Sequence, residues 1–379
     1  MIYLRPGAHV LELLQLLSVA GEFPMSGLSI LGNPRTMREL VHRLENRQEI
    51  EASRSGKRYC ARLLSIRGKR GPMRNIRLHK SALPILNELY PAALEYYLAA
   101  FRNHAFSGKK NDIERNHRVG ETLAMMLSAG VEMRPYMLPS LQADRIEATI
   151  GDMSCFYSSR VVKKLDGDSM NKTGFTRMTG LLLKQGVGFA VYNTRGAVMK
   201  WHGDGELKAM QQCEELARCN AGVDALSGAI LFGVSGSVAL ATLMETNKAG
   251  RRDYRIDRIY TAVHFVPLDE NGKSLLRLLT LPMLQSKLRS VLFPPQLQVN
   301  GFVECDCDAV DGAKYILSHL DGDLARLVRF RLAAMEDETH RYEAVCYSWQ
   351  LAYVKPFLCE RIELKSIDPA RIAVALQER

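Results

Sequence analysis

The sequence predicts an α+β protein with a helix-rich amino-terminal domain and a carboxy-terminal domain of alternating strands and helices. A chain of 379 residues is longer than most single domains, so two or three are expected. Apolar residues recur at helical spacing through the first third of the chain, whereas short apolar runs between turns follow from Gly174 onward. The excess of basic residues is confined to that first third, which separates the two regions by charge as well as by pattern.

The basic charge is the first indication of a partner. The net charge is +10, and residues 1–120 hold 20 Lys/Arg against 10 Asp/Glu, so the remainder of the chain is neutral. Within 35–80 there are 14 basic and 4 acidic residues. A concentrated positive field attracts polyanions, which makes nucleic acid the leading candidate.

Three helices are expected before this basic stretch ends. Residues 8–20 carry leucines and valines at helical spacing and are closed by Gly21. A short helix follows over 26–31. Asn33 and Pro34 supply an N-cap and a proline at the first helical position, so a third helix is predicted over 34–46.

The third helix has two different faces. Met37, Leu40, Val41 and Leu44 form one apolar stripe for the core. The opposite face begins with Arg35, Thr36 and Arg38 and continues to His42, an arrangement that suits insertion into a major groove. Arg35 and Arg38 are the candidates for reading bases.

Strands are expected after the third helix, over 50–52, 58–66 and 74–78. The last two are joined by Arg67-Gly68-Lys69-Arg70-Gly71-Pro72, a turn with three cations that do not serve a core. The order of three helices, two strands and a basic loop resembles a winged helix-turn-helix domain. That resemblance implies major-groove reading by the third helix and phosphate or minor-groove contacts by the loop. The DNA-binding candidates are Arg35, Thr36, Arg38, His42, Lys57, Arg58, Arg67, Lys69, Arg70 and Arg74.

The predicted organisation is a winged helix domain at 1–106, a helical connector at 107–150 and an α/β domain at 151–379. The connector begins with a polar loop over 107–112, followed by an amphipathic helix whose entry is Asn116-His117-Arg118. A single winged helix discriminates poorly among sequences, so a homodimer or a partner protein would add specificity.

The carboxy-terminal region predicts a mixed sheet. Strands are expected at 181–183, 188–193 and 197–201 as a meander, then a helix over 206–219, a strand over 228–233 and a helix over 237–244. A strand over 262–267 and a helix near 273–279 follow. In the tail, 345–349 and 351–354 are expected to complete the sheet. This order is similar to the core of the restriction-endonuclease-like fold.

A nuclease needs carboxylates and a lysine around metal ions. The local match is Asp204, Glu206 and Lys208, which lie at the start of a helix, where acids are ordinary capping residues. A catalytically empty domain is therefore expected: not an enzyme, with no cofactor and no metal site. A metal-dependent nuclease using these three residues and a ligand-responsive transcription regulator stay open as alternatives.

Two further patterns have ordinary explanations. Gly233-Val234-Ser235-Gly236-Ser237 lacks the spacing of a nucleophile elbow and is expected to be a small-residue turn. The eight cysteines contain no pair of CxxC motifs, and Cys305-Asp306-Cys307 with Asp308 is a weak metal signal, so reduced thiols are expected. The chain shows no signal-peptide pattern or apolar membrane span, which favours the cytoplasm and no membrane association.

The whole arrangement, a winged helix, a helical connector headed by Asn116-His117-Arg118 and an α/β domain without a catalytic set, resembles the replication-relaxation family of plasmids and integrative conjugative elements. The resemblance extends over about 300 residues. It implies a double-stranded DNA-binding accessory protein of a transfer or replication initiation complex, acting in conjugation beside a relaxase in the relaxosome.

Overall fold

The chain divides into two units in the computed structural model. The first contains Met1–Arg145, Asp152–Met170 and Thr179–Leu182, and the second contains Ile146–Gly151, Asn171–Met178 and Leu183–Arg379. The structure describes residues 1–52, 56–68, 74–101, 110–133, 150, 152–164, 176–201, 203–245, 255–299 and 305–377. Both units mix helices with small sheets, as the α+β prediction requires.

The first unit starts with short helices and strands. Its elements are β1 Ile2–Leu4, α1 His9–Ala20, β2 Glu22–Pro24, α2 Leu28–Leu31, α3 Pro34–Leu44, β3 Gln48–Ala52, β4 Arg58–Ala61, β5 Leu64–Arg67, β6 Asn75–Leu78, α4 Leu83–Leu89, α5 Pro91–Ala100, α6 Lys110–Ser128, β7 Cys155–Ser158 and α7 Ser159–Lys164. The three predicted helices are therefore present. They form where the apolar spacing and the Asn33 cap place them.

Two three-stranded sheets accompany these helices. In one, β1 pairs in parallel with β3, and β3 pairs antiparallel with β4. In the other the order is β2-β6-β5, with both pairings antiparallel. The single strand predicted over 58–66 is wrong: it is two strands in two different sheets, separated at Arg62 and Leu63. The backbone leaves the first sheet there because Leu63 N donates to Leu44 O, and Leu63 O accepts from His79 N.

The amphipathic helix of the predicted connector packs within the first unit. α6 contacts α1, α2 and β2. It begins at Lys110, so the loop predicted through residue 112 is wrong at its last three positions. Asn116-His117-Arg118 is not a helix entry but lies inside α6, where His117 is buried.

The second unit contains the remaining strands and helices. They are β8 Gly180–Lys184, whose last two residues belong to this unit, β9 Val187–Arg195, α8 Gly203–Ala221, β10 Gly228–Gly233, α9 Gly236–Met244, β11 Val263–Pro267, α10 Glu270–Leu279, α11 Leu284–Leu292, β12 Ala309–Asp311, β13 Lys314–Ser318, α12 Leu324–Glu336, β14 Arg341–Tyr347, α13 Leu351–Phe357, β15 Ile362–Ile367 and α14 Pro369–Gln377. β9, β10 and β11 are parallel neighbours, and so are β13, β14 and β15.

The same order of elements occurs twice in this part of the chain. Each copy starts with two strands joined by a two-residue turn, Gln185–Gly186 in the first copy and Gly312–Ala313 in the second. In each copy these two strands are followed by a helix, a strand, a helix, a strand and a helix, and each later strand is parallel to the strand before it. An additional helix, α11, follows the first copy. The tail therefore builds its own sheet, β12-β13-β14-β15. The prediction that it completes the sheet of β9, β10 and β11 is wrong.

Two predicted strands of this region are not strands. Segment 197–201 runs alongside α9, because Met199 N donates to Thr242 Oγ1 and Trp201 Nε1 donates to Thr242 O. Segment 351–354 is helical. Gln350 fixes the turn before it by accepting from Tyr347 N and donating to His319 O.

Within the described residues, no helix is both long and apolar enough to cross a membrane.

Candidate nucleic-acid interface

The amino-terminal turn of α3 is held in place by its cap. Asn33 Oδ1 accepts from Arg35 N at 3.0 Å and from Thr36 N at 3.3 Å, and Pro34 occupies the first helical position. Met37, Val41 and Leu44 are buried, while Leu40 is only half-buried, so the predicted apolar stripe is narrower by one residue. The helix is anchored by this stripe and leaves its opposite face in solvent.

That exposed face carries the predicted groove-reading residues. Arg35, Thr36, Arg38 and His42 are all exposed. Arg35 Nε lies 3.1 Å from Glu39 Oε1, and His42 Nδ1 lies 3.9 Å from Glu45 Oε2. Exposed ion pairs of this kind are worth roughly 0–1 kcal/mol, so a phosphate can replace the glutamate at little cost. Arg38 makes no ion pair with any described residue.

The remaining candidates are divided between two hairpins. Lys57 and Arg58 lie on the β3–β4 hairpin, where Lys57 Nζ is 3.6 Å from Glu88 Oε2 and Arg58 Nε is 3.2 Å from Glu51 Oε2. Arg67 and Arg74 lie at the ends of the β5–β6 hairpin, with Arg67 exposed and Arg74 half-buried. Lys69 and Arg70, predicted on the turn of that hairpin, lie outside the described residues.

One arginine of the basic stretch is internal. Arg77 on β6 donates from Nε and Nη2 to Glu22 Oε2 at 2.9 and 2.6 Å, and Glu22 on β2 is completely buried. His117 Nε2 on α6 lies 3.8 Å from Glu22 Oε1. These three residues fix β2, β6 and α6 to one another. Sequence reasoning missed this cluster, since a lone glutamate in an apolar segment was its one local signal.

The nuclease candidates are not brought together. Asp204 and Lys208 are exposed, whereas Glu206 is completely buried. Its carboxylate accepts from Thr176 Oγ1 at 2.6 Å, from Arg177 N at 2.7 Å and from Tyr192 Oη at 3.0 Å. Among the described residues, no group of three or more His, Cys, Asp or Glu side chains is arranged to hold a metal ion.

The burial of Glu206 predicts a dependence of stability on pH. Burial raises the pKa of its carboxyl group, against the lowering effect of its hydrogen bonds. An acid whose pKa is higher in the folded state stabilises the fold below its unfolded pKa, and that contribution is lost as the pH rises through the folded pKa. We therefore expect Glu206→Gln to flatten the decline in unfolding free energy above about pH 4, near the ordinary pKa of glutamate. Urea unfolding between acidic and neutral pH measures it.

The matched control for this variant is Asp204→Asn, which changes an exposed acid in the same helical turn. It should leave the pH profile as it is. Equal profiles for Glu206→Gln and the unmodified chain would contradict the prediction.

The Gly233–Ser237 turn is explained by packing. Gly236 begins α9, and a Cβ placed there would lie 2.3 Å from the ring of Tyr353. Only glycine leaves room for this ring, so the turn has small residues for a steric reason, in agreement with the sequence interpretation.

Gly236→Ala is expected to lower the free energy of unfolding by about 1–3 kcal/mol, because the Tyr353 ring must move out of a packed core. Gly196→Ala is the matched control. A Cβ at Gly196 would meet Val234 Cγ2 at 3.4 Å, an ordinary contact. Urea denaturation of both variants decides the matter, and equal midpoints would show that the ring yields without cost.

Comparison of the chain with protein-family models, with curated proteins and with solved structures finds no match.

Proposed function

We propose that the first unit is a winged helix-turn-helix domain that binds double-stranded DNA. α1, α2 and α3 would be its three helices, with α3 in the major groove and the β5–β6 hairpin as the wing. The single observation that carries this proposal is the exposed face of α3, which combines Arg35, Thr36, Arg38 and His42 on a helix anchored from behind. A helix of this kind places its first turn nearest the base edges.

The strand arrangement supports the same proposal. β2 lies between α1 and α2 in the sequence, and it is the third strand of the sheet that contains the β5–β6 hairpin. The hairpin is thereby tied to the helices, because β2 follows α1 directly. Arg67 and Arg74 flank the hairpin turn, the part of a wing that would contact phosphates.

By its resemblance to the replication-relaxation family, the protein would act as an accessory factor of mobile-element transfer or replication initiation, beside a relaxase and without cleaving DNA itself. The carboxylate of Glu206 accepts three hydrogen bonds from Thr176, Arg177 and Tyr192, and this structural role supports a protein that does not cleave DNA through it.

Salt-dependent binding tests the proposal. Fluorescence anisotropy of a labelled duplex, titrated with the intact chain at several salt concentrations, measures the affinity and its slope against log salt. Six to ten phosphate contacts predict a fall of roughly a thousandfold or more between 50 and 200 mM salt. Binding that is absent at low salt, or insensitive to salt, would contradict DNA recognition by this basic face.

A further inference from the structure

Cys305 and Cys307 in the second unit are folded close together by their own backbone. Cys307 N donates to Cys305 O at 2.9 Å, which closes a turn over Asp306. In an extended chain, Cα atoms two residues apart are separated by roughly 6.6–7.2 Å. A closed turn shortens that separation into the range of about 4.4–6.8 Å that a disulfide spans.

The two side chains share one environment. Both are buried, at 6% and 7% exposure, and both line a cavity of about 810 Å³ in the second unit. A cavity of this volume has room for a small thiol or disulfide beside the residues that line it. Cys213 and Cys346, by contrast, are buried and do not line this cavity.

The residue between the cysteines ties the turn to a helix. Asp306 accepts from Arg326 Nε at 3.0 Å and from Arg329 Nη2 at 2.7 Å, both on α12. Arg326 also pairs with Asp308 at 3.2 Å. The turn is thus held on both sides of Cys307, which fixes the backbone of both cysteines at the wall of the cavity.

We propose that Cys305 and Cys307 are a redox-modification site that closes reversibly into a disulfide with glutathione disulfide or a similar small disulfide as oxidant. The Cys307 thiolate attacks one sulfur of the oxidant and releases one thiolate, leaving a mixed disulfide. The Cys305 thiol then loses its proton to solvent, and its sulfur attacks Cys307 Sγ and releases the second thiolate. Two protein thiols are oxidised, and one small disulfide is reduced to two thiols.

The electrostatics favour this order of attack. Interaction with Cys307 raises the pKa of the Cys305 thiol, and interaction with Cys305 lowers the pKa of the Cys307 thiol. Because the thiolate is the nucleophile, Cys307 reacts first. A ring closed over one intervening residue is strained, and strained disulfides are readily reduced again.

The experiment equilibrates the full chain in glutathione buffers of increasing oxidised fraction, stops exchange with acid, alkylates free thiols and maps the peptides by mass spectrometry. The expected result is a peptide in which Cys305 and Cys307 both escape alkylation and carry no glutathione, and in which both are alkylated after reduction. This readout uses the unmodified chain, so it does not depend on any variant folding.

Two variants sharpen the result. Cys305→Ser should stop the reaction at the mixed disulfide, leaving glutathione on Cys307, whereas the control Cys359→Ser, in a half-buried position, should leave the disulfide unchanged. Alkylation of both cysteines at every oxidised fraction would overturn the proposal. So would a disulfide from either cysteine to a different one.

Discussion

Replacing Arg35, Arg38 and Arg67 together by alanine is expected to weaken duplex DNA binding by about a hundredfold at low salt. Arginine contacts to base edges are each worth roughly 1–3 kcal/mol, and 1.4 kcal/mol corresponds to a factor of ten. The three side chains are exposed, so their loss leaves the core of the first unit intact. The slope of log affinity against log salt should fall by roughly 0.9 for each phosphate contact removed.

A charge-matched control separates recognition from general attraction. Arg341, Arg361 and Arg371 are exposed arginines of the second unit, and their replacement by alanine removes the same net charge. Anisotropy titrations of both triple variants should show a large loss for the first and a small one for the second. Equal losses would mean that net charge, and not the face of α3, determines binding.

Replacing Arg77 by methionine is expected to have the largest effect on stability. The side chain of Glu22 is completely buried, and Arg77 is its hydrogen-bonded partner at 2.6 Å. Removing one member of a buried pair leaves a buried charge and costs about 3–5 kcal/mol. The variant should therefore be destabilised by that amount in urea unfolding followed by circular dichroism.

Two companion variants test the cause. The double variant Glu22→Gln with Arg77→Met removes both charges, so it should recover a large part of the lost stability. Arg58→Met breaks an exposed pair with Glu51 and should cost no more than about 1 kcal/mol. If Arg77→Met and Arg58→Met were equally stable, the internal pair would not stabilise the pairing of β2 with β6.

The cluster around Glu22 also matters for the proposed interface. β6 carries Arg77, and it is the strand of the β5–β6 hairpin that pairs with β2. Arg67 and Arg74 lie at the two ends of this hairpin. Their position therefore depends on the pairing of β6 with β2, which the Glu22–Arg77 ion pair stabilises. We expect Arg77→Met to weaken DNA binding through loss of this order and not through loss of a contact.

Sequence alone was sufficient where the signal is local. The apolar spacing of 8–20 and the Asn33-Pro34 cap predicted α1 and α3, because a helix is specified by residues three and four positions apart and by its first turn. The strand over 228–233 was predicted with the bounds that the structure shows, because a buried parallel strand is a continuous apolar run and that signal is also local. The exposure of Arg35, Thr36, Arg38 and His42 followed from the helical period.

Long-range pairing was decided only by the tertiary structure. Glu22 and Arg77 are 55 residues apart, and no local pattern assigns one to the other. The separation of 58–66 into β4 and β5 depends on the hydrogen bonds that Leu63 makes with Leu44 and His79. The helix at Leu351–Phe357 depends on the hydrogen bond from Gln350 to His319 O. The sequence by itself determined the helices α1 and α3 and which face of α3 is basic. Which strands share a sheet, and which charges are buried, depends on contacts between residues distant in the chain, whose free energy exists only once those segments have packed together.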